Sequence, residues 1–326
     1  MSEETCRLKQ FLRVLNVPTV DVAKLRKMSW HGVPFSVRNV VWKYLFNYIP
    51  SEVSRVDKVL QKKRSEYQTY TKMLSYELTE IEEKTLRQIR LDISRSTTEV
   101  PLLSHKVAQK TMENVLFLWA LRNPACGYIQ GLNDLVIPIF TVFLEEYSPL
   151  KTPQIFEDIS SDATHNVEAD LYWCFSSLMM NIQDHYTSNQ SQIFKQLEVM
   201  KKVVGEVDKP LDVHFEENNI LFFQFAFRWI NCFLLRELSP EQGMRLWDTY
   251  LSDDDGNGFS HFHVYVCVSL IEKYKAKLMK MEFAEAMQFL QNIPSRSWSG
   301  QDMEELISRA FVMYKTFEKE PRSAEE

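Results

Sequence analysis

In Val107-Ala108-Gln109-Lys110-Thr111-Met112-Glu113-Asn114-Val115-Leu116-Phe117-Leu118-Trp119-Ala120-Leu121-Arg122, the apolar residues Ala108, Met112, Val115, Leu116 and Trp119 recur at spacings of three and four. A helix turns once every 3.6 residues, so these positions form one stripe along one face. Asn123-Pro124 ends the segment, because proline has no N–H with which to continue the hydrogen-bond ladder. A short turn through Gly127 leads to a second helix, expected near Asn133 to Glu146. Pro138 should kink that helix or lie in its first turn.

The same period recurs along the rest of the chain. Ser239-Pro240-Glu241-Gln242 reads as a helix start, with Ser239 as N-cap, Pro240 at the first helical position and Gln242 completing a capping box. Met244, Leu246, Trp247 and Leu251 then supply its apolar face. Pro294 and Gly300 separate two late helical stretches, Glu282 to Asn292 and Gln301 to Phe317. The most apolar run, Ile220 to Leu235, is interrupted by Gln224, Arg228 and Asn231 and is shorter than the roughly 20 residues a membrane span needs. It is expected to be a buried core helix. Ser51 to Glu83 is the most charged interior segment and is expected to be a polar helix or lobe edge, and the tail after Glu318 is expected to fray. No strand hairpin and no short-period repeat is evident. Only 8 glycines occur in 326 residues, fewer than a turn-rich β fold would use. The fold class is all-α.

At 326 residues and 45% hydrophobic content, the chain can bury a large core as one extended helical domain or two lobes. Its formal net charge of -6 provides no basic field for nucleic acid. The five cysteines, Cys6, Cys126, Cys174, Cys232 and Cys267, are widely spaced and contain no CxxC pair. That pattern suits reduced thiols in a cytosolic protein better than a disulfide framework or zinc ribbon. Met1 to Gln10 lacks the apolar region of a signal peptide, and Pro321-Arg322-Ser323-Ala324-Glu325-Glu326 carries no lipidation motif. Membrane proximity is expected only through partners.

Two segments have the residue types for chemistry. In Ile89-Arg90-Leu91-Asp92-Ile93-Ser94-Arg95, Asp92 and Arg95 are three apart. On a helical turn or tight loop they are neighbours, and the carboxylate can hold the guanidinium in one orientation. By spacing alone the pair is equally a surface salt bridge worth under about 1 kcal/mol. In Gly127-Tyr128-Ile129-Gln130-Gly131-Leu132-Asn133-Asp134, two glycines bracket a tyrosine and a glutamine between helices. Such a loop permits close backbone approach to a partner, and a glutamine amide both donates and accepts, as positioning a water requires. It is also compatible with an ordinary interhelical turn.

Other patterns are set aside on their chemistry. Asp253, Asp255, Asn257 and Gly258 fit the start of an EF-hand loop, but its twelfth position, a bidentate Glu in such loops, is Val264. His261 and His263 are two apart and do not share a helix face, so a core or capping role is expected instead of a shared metal. Phe222, Phe223, Phe225, Phe227 and Trp229 have no basic stripe beside them and are expected to pack in the core, not on bases. No Walker P-loop occurs, so the chain is not expected to bind GTP itself.

The Asp92 segment resembles the IxxDxxR motif of the TBC domain, and Tyr128-Ile129-Gln130-Gly131 resembles its YxQG motif. Gly32-Val33-Pro34 followed by Arg38 and Trp42 resembles its opening signature, and Arg236-Glu237-Leu238 and Arg245-Leu246-Trp247-Asp248 resemble its later blocks. These five blocks, in the family's order, cover roughly Met28 to Phe317. Gly131-Leu132-Asn133-Asp134-Leu135 and Gly258-Phe259-Ser260-His261-Phe262-His263 look most like the Golgi-associated branch.

The resemblance implies an all-α, multi-helix TBC fold in two helical lobes arranged in a V shape. It implies an N-terminal extension over 1–27, a TBC domain over 28–318 and a tail over 319–326. It also implies action in trans on the GTP-bound form of Rab GTPases in vesicle traffic. Arg95 would enter the nucleotide pocket and Gln130 would orient the attacking water. GTP and Mg2+ would be carried by the Rab, with no cofactor or metal of the chain's own. Asp92 would orient Arg95, while Tyr128, Gly131 and Asn133 would shape the Rab contact. Arg38 and Trp42 are assigned to supporting the finger loop and the core. The implied location is cytoplasmic and peripheral at Golgi membranes. One departure is Ser96, where the family motif continues with threonine; serine keeps the hydroxyl and loses a methyl. The alternative is a TBC-fold adaptor that binds Rabs or other trafficking proteins without accelerating hydrolysis, although an adaptor has no chemical need for Arg95 and Gln130.

Overall fold

The structure, a computed structural model, describes residues 3–98, 100–147, 155–186, 190–253, 256 and 258–317. It divides into two units, Met1–Ser188 and Asn189–Glu326. The first carries α1 (Glu3–Leu15), α2 (Val22–Ser29), α3 (Phe35–Leu45), α4 (Val56–Thr71), α5 (Glu80–Ser96), α6 (Lys106–Arg122), α7 (Leu132–Leu144), α8 (Ile155–Asp158) and α9 (Ser161–Ile182). The second carries α10 (Ser191–Val207), α11 (Lys209–Glu217), α12 (Phe222–Asn231), α13 (Pro240–Ser252), α14 (His263–Lys273), α15 (Lys275–Leu278), α16 (Phe283–Leu290) and α17 (Gly300–Phe317). Among the described residues the only β pairing is an isolated bridge between Thr19 and Glu52. No helix of these residues is long and apolar enough to cross a membrane.

In the first unit, α6, α7 and α9 pack against one another, with α4 on α9, α5 on α6 and α7, and α3 on α7. The expected stripe of α6 is buried, and Phe117, Leu118 and Ala120 are buried beside it, so the inner half of this helix is enclosed on nearly every side. Its end at Arg122 agrees with the Asn123-Pro124 stop. Pro138 lies inside α7, past its first turn, where it has no N–H to give the carbonyl of Asp134. Helix α1 packs on α2 and α3, and Arg7 donates to the carbonyls of Met28 and Gly32 at 3.0 Å.

The charged segment before α5 does form a polar helix, α4, but it also reaches inward. Arg64 donates to both carboxylate oxygens of Asp170 on α9 at 2.9 and 2.8 Å. Tyr48 donates to the same carboxylate at 2.8 Å, and Lys43 lies 3.1 Å from it. Tyr67 donates to the buried Glu168 at 2.8 Å. A buried carboxylate is tolerable only with such partners, since desolvating it alone costs several kcal/mol.

In the second unit, α14 packs against α10, α12 and α17. Helix α13 starts as expected: Ser239 Oγ accepts from the N–H of Gln242, and the Gln242 side chain accepts from the N–H of Ser239 at 2.8 Å. The run Ile220 to Leu235 is not one buried helix. Helix α12 covers only Phe222–Asn231, and Phe233 and Leu234 follow with φ of 48° and 59°. Its Phe222, Phe225 and Trp229 are buried, whereas Phe223 is 52% exposed. Two left-handed residues stop the helix after it has covered one face. Of the polar residues that interrupt the run, Gln224 and Arg228 are half-buried at its margin and Asn231 is buried at its end. His263 is a core histidine: Nδ1 meets the Tyr250 hydroxyl at 2.7 Å and Nε2 meets the Trp229 carbonyl at 3.0 Å. Asp255 and Asn257 of the acidic loop lie outside the described residues, as does the tail after Glu318.

Candidate functional site

Helix α5 is set by its ends and its buried stripe. Thr79 caps it with a full capping box: its hydroxyl accepts from the N–H of Glu82 at 3.3 Å, and the Glu82 carboxylate accepts from the N–H of Thr79 at 2.7 Å. Such a cap contributes about 1 kcal/mol. Glu80, Glu82 and Glu83 in the first turn and Arg95 in the last match the helix dipole. Ile89, Asp92, Ile93 and Ser96 are its buried residues, at spacings of three and four. The stripe turned toward α6 and α7 therefore carries a carboxylate and a hydroxyl among its apolar residues.

Asp92 is 2% exposed at its side chain and is surrounded by donors. Gln88, one turn earlier, donates to both of its oxygens at 3.1 Å. Arg95 Nη1 donates to Oδ1 at 3.1 Å, and the Tyr128 hydroxyl donates to Oδ2 at 3.0 Å. Arg95 itself is 63% exposed. An ion pair that open to water contributes little stability, so its consequence is geometric: one nitrogen is held at the helix and the rest of the guanidinium faces outward. Among the described residues, no protein acceptor other than Asp92 meets that guanidinium. Arg90 differs. Its Nε and Nη2 both grip Glu113 on α6, at 2.5 and 3.1 Å, with Lys110 at 2.6 Å on the same carboxylate. Burial pushes the Glu113 carboxyl up, but the hydrogen bonds from Arg90 and Lys110 outweigh it and hold the group below its ordinary range.

The second segment starts α7. Gly131 has φ 104°, a backbone that a residue with a β-carbon adopts only under strain. That turn leaves Gln130 exposed on the loop and places Asn133 in the buried first turn of the helix. The Asn133 amide donates to Ser96 Oγ at 3.0 Å and to Asp134 Oδ1 at 3.1 Å. Ser96 Oγ in turn donates to the Asp92 carbonyl at 3.2 Å, and Asn133 Oδ1 lies 3.4 Å from the Tyr128 hydroxyl. Asp92, Tyr128, Asn133 and Ser96 thus form a ring that ties the end of α5 to the start of α7.

The structure brings Asp92, Arg95, Tyr128 and Asn133 together, with Gly131 and Gln130 on the same loop. Arg38 and Trp42 stand on α3 instead. Arg38 donates to the Val33 carbonyl at 2.8 Å, and Trp42 is fully buried, with its ring edge-on to Phe46 at 6.2 Å. The ring of hydrogen bonds is built from neither. Two members escape sequence reasoning. Gln88 precedes the motif and carries no signal except its place four residues before Asp92 on a helix. Ser96 is noticeable only as a departure from threonine, and its use of both hydroxyl functions follows from packing.

Residues 35–279 match the RabGAP-TBC family, the Rab-GTPase-TBC domain. GTPase-activating protein gyp1 of Schizosaccharomyces pombe is 40% identical over 311 residues, covering 94% of this chain and 60% of that protein. TBC1 domain family member 22A of Mus musculus is 38% identical over 322 residues, covering 98% of this chain and 62% of that protein. The chain therefore spans about three-fifths of the length of these curated relatives. The crystal structure of the Ypt/Rab-GAP domain of Gyp1p superposes with a TM-score of 0.90 at 37% identity, covering 97% of this chain and 100% of that one. The Chlamydomonas flagellar RabGAP TBC domain, at 18% identity and a TM-score of 0.67 over 95% of this chain and 90% of that one, shares the fold. By sequence along most of its length and by the course of its helices, this chain belongs to the RabGAP-TBC family.

Proposed function

We propose that the chain accelerates GTP hydrolysis on a Rab GTPase by supplying Arg95 and Gln130 in trans. The observation that carries this reading is the state of Arg95: exposed, fixed at one nitrogen by a buried carboxylate, and otherwise turned outward. Phosphoryl transfer is catalysed mainly by positioning and by cationic stabilisation of the transferring group. A guanidinium brings a permanent charge and a planar donor fork that an ammonium lacks. The Gln130 amide both donates and accepts, which suits a residue that orients the attacking water. The names of the relatives, a GTPase-activating protein and a Ypt/Rab-GAP domain, support the same activity.

In this proposal the Rab carries GTP and Mg2+, and the chain brings no cofactor. Asp92 positions Arg95, and Tyr128, Gly131 and Asn133 shape the loop that presents Gln130. Arg38 and Trp42 support the finger loop and the core of the 28–318 domain. The setting is vesicle traffic, with the protein peripheral at Golgi membranes and recruited by its partners.

The test is single-turnover GTP hydrolysis over a panel of Rabs, with Arg95→Ala, Arg95→Lys and Gln130→Ala. At least one Rab is accelerated, and Arg95→Ala lowers kcat by about 10³–10⁵, roughly 4–7 kcal/mol of barrier. Arg95→Lys does not restore it. Folding stability changes by under about 1 kcal/mol, because the side chain is exposed. Full activity of Arg95→Ala overturns the proposal. A tight complex with no acceleration identifies an adaptor.

A further inference from the structure

Helix α5 presents an outer stripe as well as the inner one that holds Asp92. Arg87, Leu91, Ser94 and Arg95 recur on it at spacings of four, three and one, and all are exposed. Leu91 is 54% exposed and precedes Arg95 by four residues. On a helix such residues are stacked neighbours, with their β-carbons about 5–6 Å apart. A single exposed leucine is ordinary on a protein surface. This one differs in its place. A guanidinium that enters a pocket on another protein brings the surface around its own base against that protein, and Leu91 is in that surface.

We infer that Leu91 is a docking and specificity residue: it buries against an apolar side chain at the rim of the GTPase's nucleotide pocket, with Arg87 meeting a carboxylate beside it. This rests on the proposed entry of Arg95 into that pocket. The occupant of the stripe is thus the GTPase that receives Arg95, and the cationic, apolar, cationic order of Arg87, Leu91 and Arg95 sets the chemistry of its complement. Ile81 provides an internal contrast. It is more exposed, at 76%, and lies on the same helix. Its distance from Arg95 is 14 residues, or about 21 Å along the axis. Exposure alone would make it the stronger contact; proximity to Arg95 makes it irrelevant.

The experiment measures kcat and KM for a Rab from the panel, together with Kd for the same Rab loaded with a non-hydrolysable GTP analogue. Leu91→Ala is expected to raise KM and Kd by about 5–20-fold with kcat nearly unchanged, the range for an interfacial leucine truncation. Leu91→Asp raises them further, Leu91→Met stays within about threefold, and Ile81→Ala leaves both constants unchanged. Arg87→Glu raises KM and weakens its dependence on salt. Circular dichroism and Tm verify that each variant is folded. If Arg95→Ala abolishes acceleration while Leu91→Ala and Leu91→Asp keep the original KM and Kd, this inference is wrong and the catalytic reading stands. If Arg95→Ala is fully active, the catalytic reading is itself wrong. Equal effects of Ile81→Ala and Leu91→Ala also overturn the inference, since position on the stripe would then be immaterial.

Discussion

The hydroxyl of Tyr128 donates to Oδ2 of Asp92 at 3.0 Å, joining the loop before α7 to the last turns of α5. Because Asp92 Oδ1 also holds Arg95, one buried carboxylate registers the guanidinium against the loop that carries Gln130. Tyr128→Phe removes one bond and keeps the ring. We expect a stability loss of about 1 kcal/mol and a fall in kcat/KM on the order of tenfold, since small displacements of catalytic groups are costly. Asp92→Asn keeps the shape but loses the charge and turns an amide toward the Gln88 and Arg95 donors. It should lower kcat more than it raises KM. A Tyr128→Phe protein with unaltered kinetics would show that the two segments need no such register.

Ser96 stands where the family motif has threonine, and its hydroxyl both accepts from Asn133 and donates to the Asp92 carbonyl. Ser96→Thr should retain activity within about threefold, because the hydroxyl persists. Ser96→Ala leaves the buried Asn133 amide with one acceptor fewer and should cost about 1–3 kcal/mol of stability, measured by urea denaturation. Equal stability of the alanine and threonine variants would remove the hydroxyl from the account.

Gly131 has φ 104° and ψ -16° immediately before α7. Gly131→Ala forces a β-carbon into that conformation, at roughly 1–2 kcal/mol. Relaxing the strain rotates the peptides that join Gly131 to Gln130 and to Leu132, so kcat should fall along with Tm. Gly127→Ala serves as comparison: its φ is 62°, but nothing lies within 4 Å of the added carbon. It should cost similar stability with less effect on kcat.

Burial depresses the pKa of His185 from 6.5 to about 4, and the neighbouring Asp184 only partly opposes this. The native state therefore binds fewer protons than the unfolded chain between those values. Stability from this group is present above pH 6.5 and is lost as pH falls toward 4, a change of roughly 3 kcal/mol in all. His185→Gln should flatten the pH dependence of the urea midpoint between about pH 7 and about pH 4, whatever its effect at neutral pH. An unchanged slope would mean that the imidazole does not resist protonation.

Much of the helical layout was legible in the sequence because helix formation answers to local rules. The stripe of α6, the stop at Asn123-Pro124 and the cap at Ser239 depend on residues within a turn or two of one another. Local rules failed at Ile220 to Leu235, where hydrophobicity pointed to one buried helix. The left-handed Phe233 and Leu234 end it early, and Phe223 faces solvent. Those features answer to packing between distant segments, which no window of sequence contains.

Asp92 and Arg95 illustrate the same division at the candidate site. By itself the sequence determined that they are three apart, that Gln130 stands between two glycines, and that both motifs occur in the order of the TBC family. It did not separate a buried carboxylate from a surface one, or Arg90 from Arg95 by environment. The tertiary structure decided both. Packing α5 onto α6 and α7 buries Asp92 under donors from Gln88 and Tyr128, and commits two nitrogens of Arg90 to Glu113 while Arg95 is held at one nitrogen by Asp92. Burial and hydrogen-bond partnership belong to neighbours far apart in the chain, so they exist only once the helices have met.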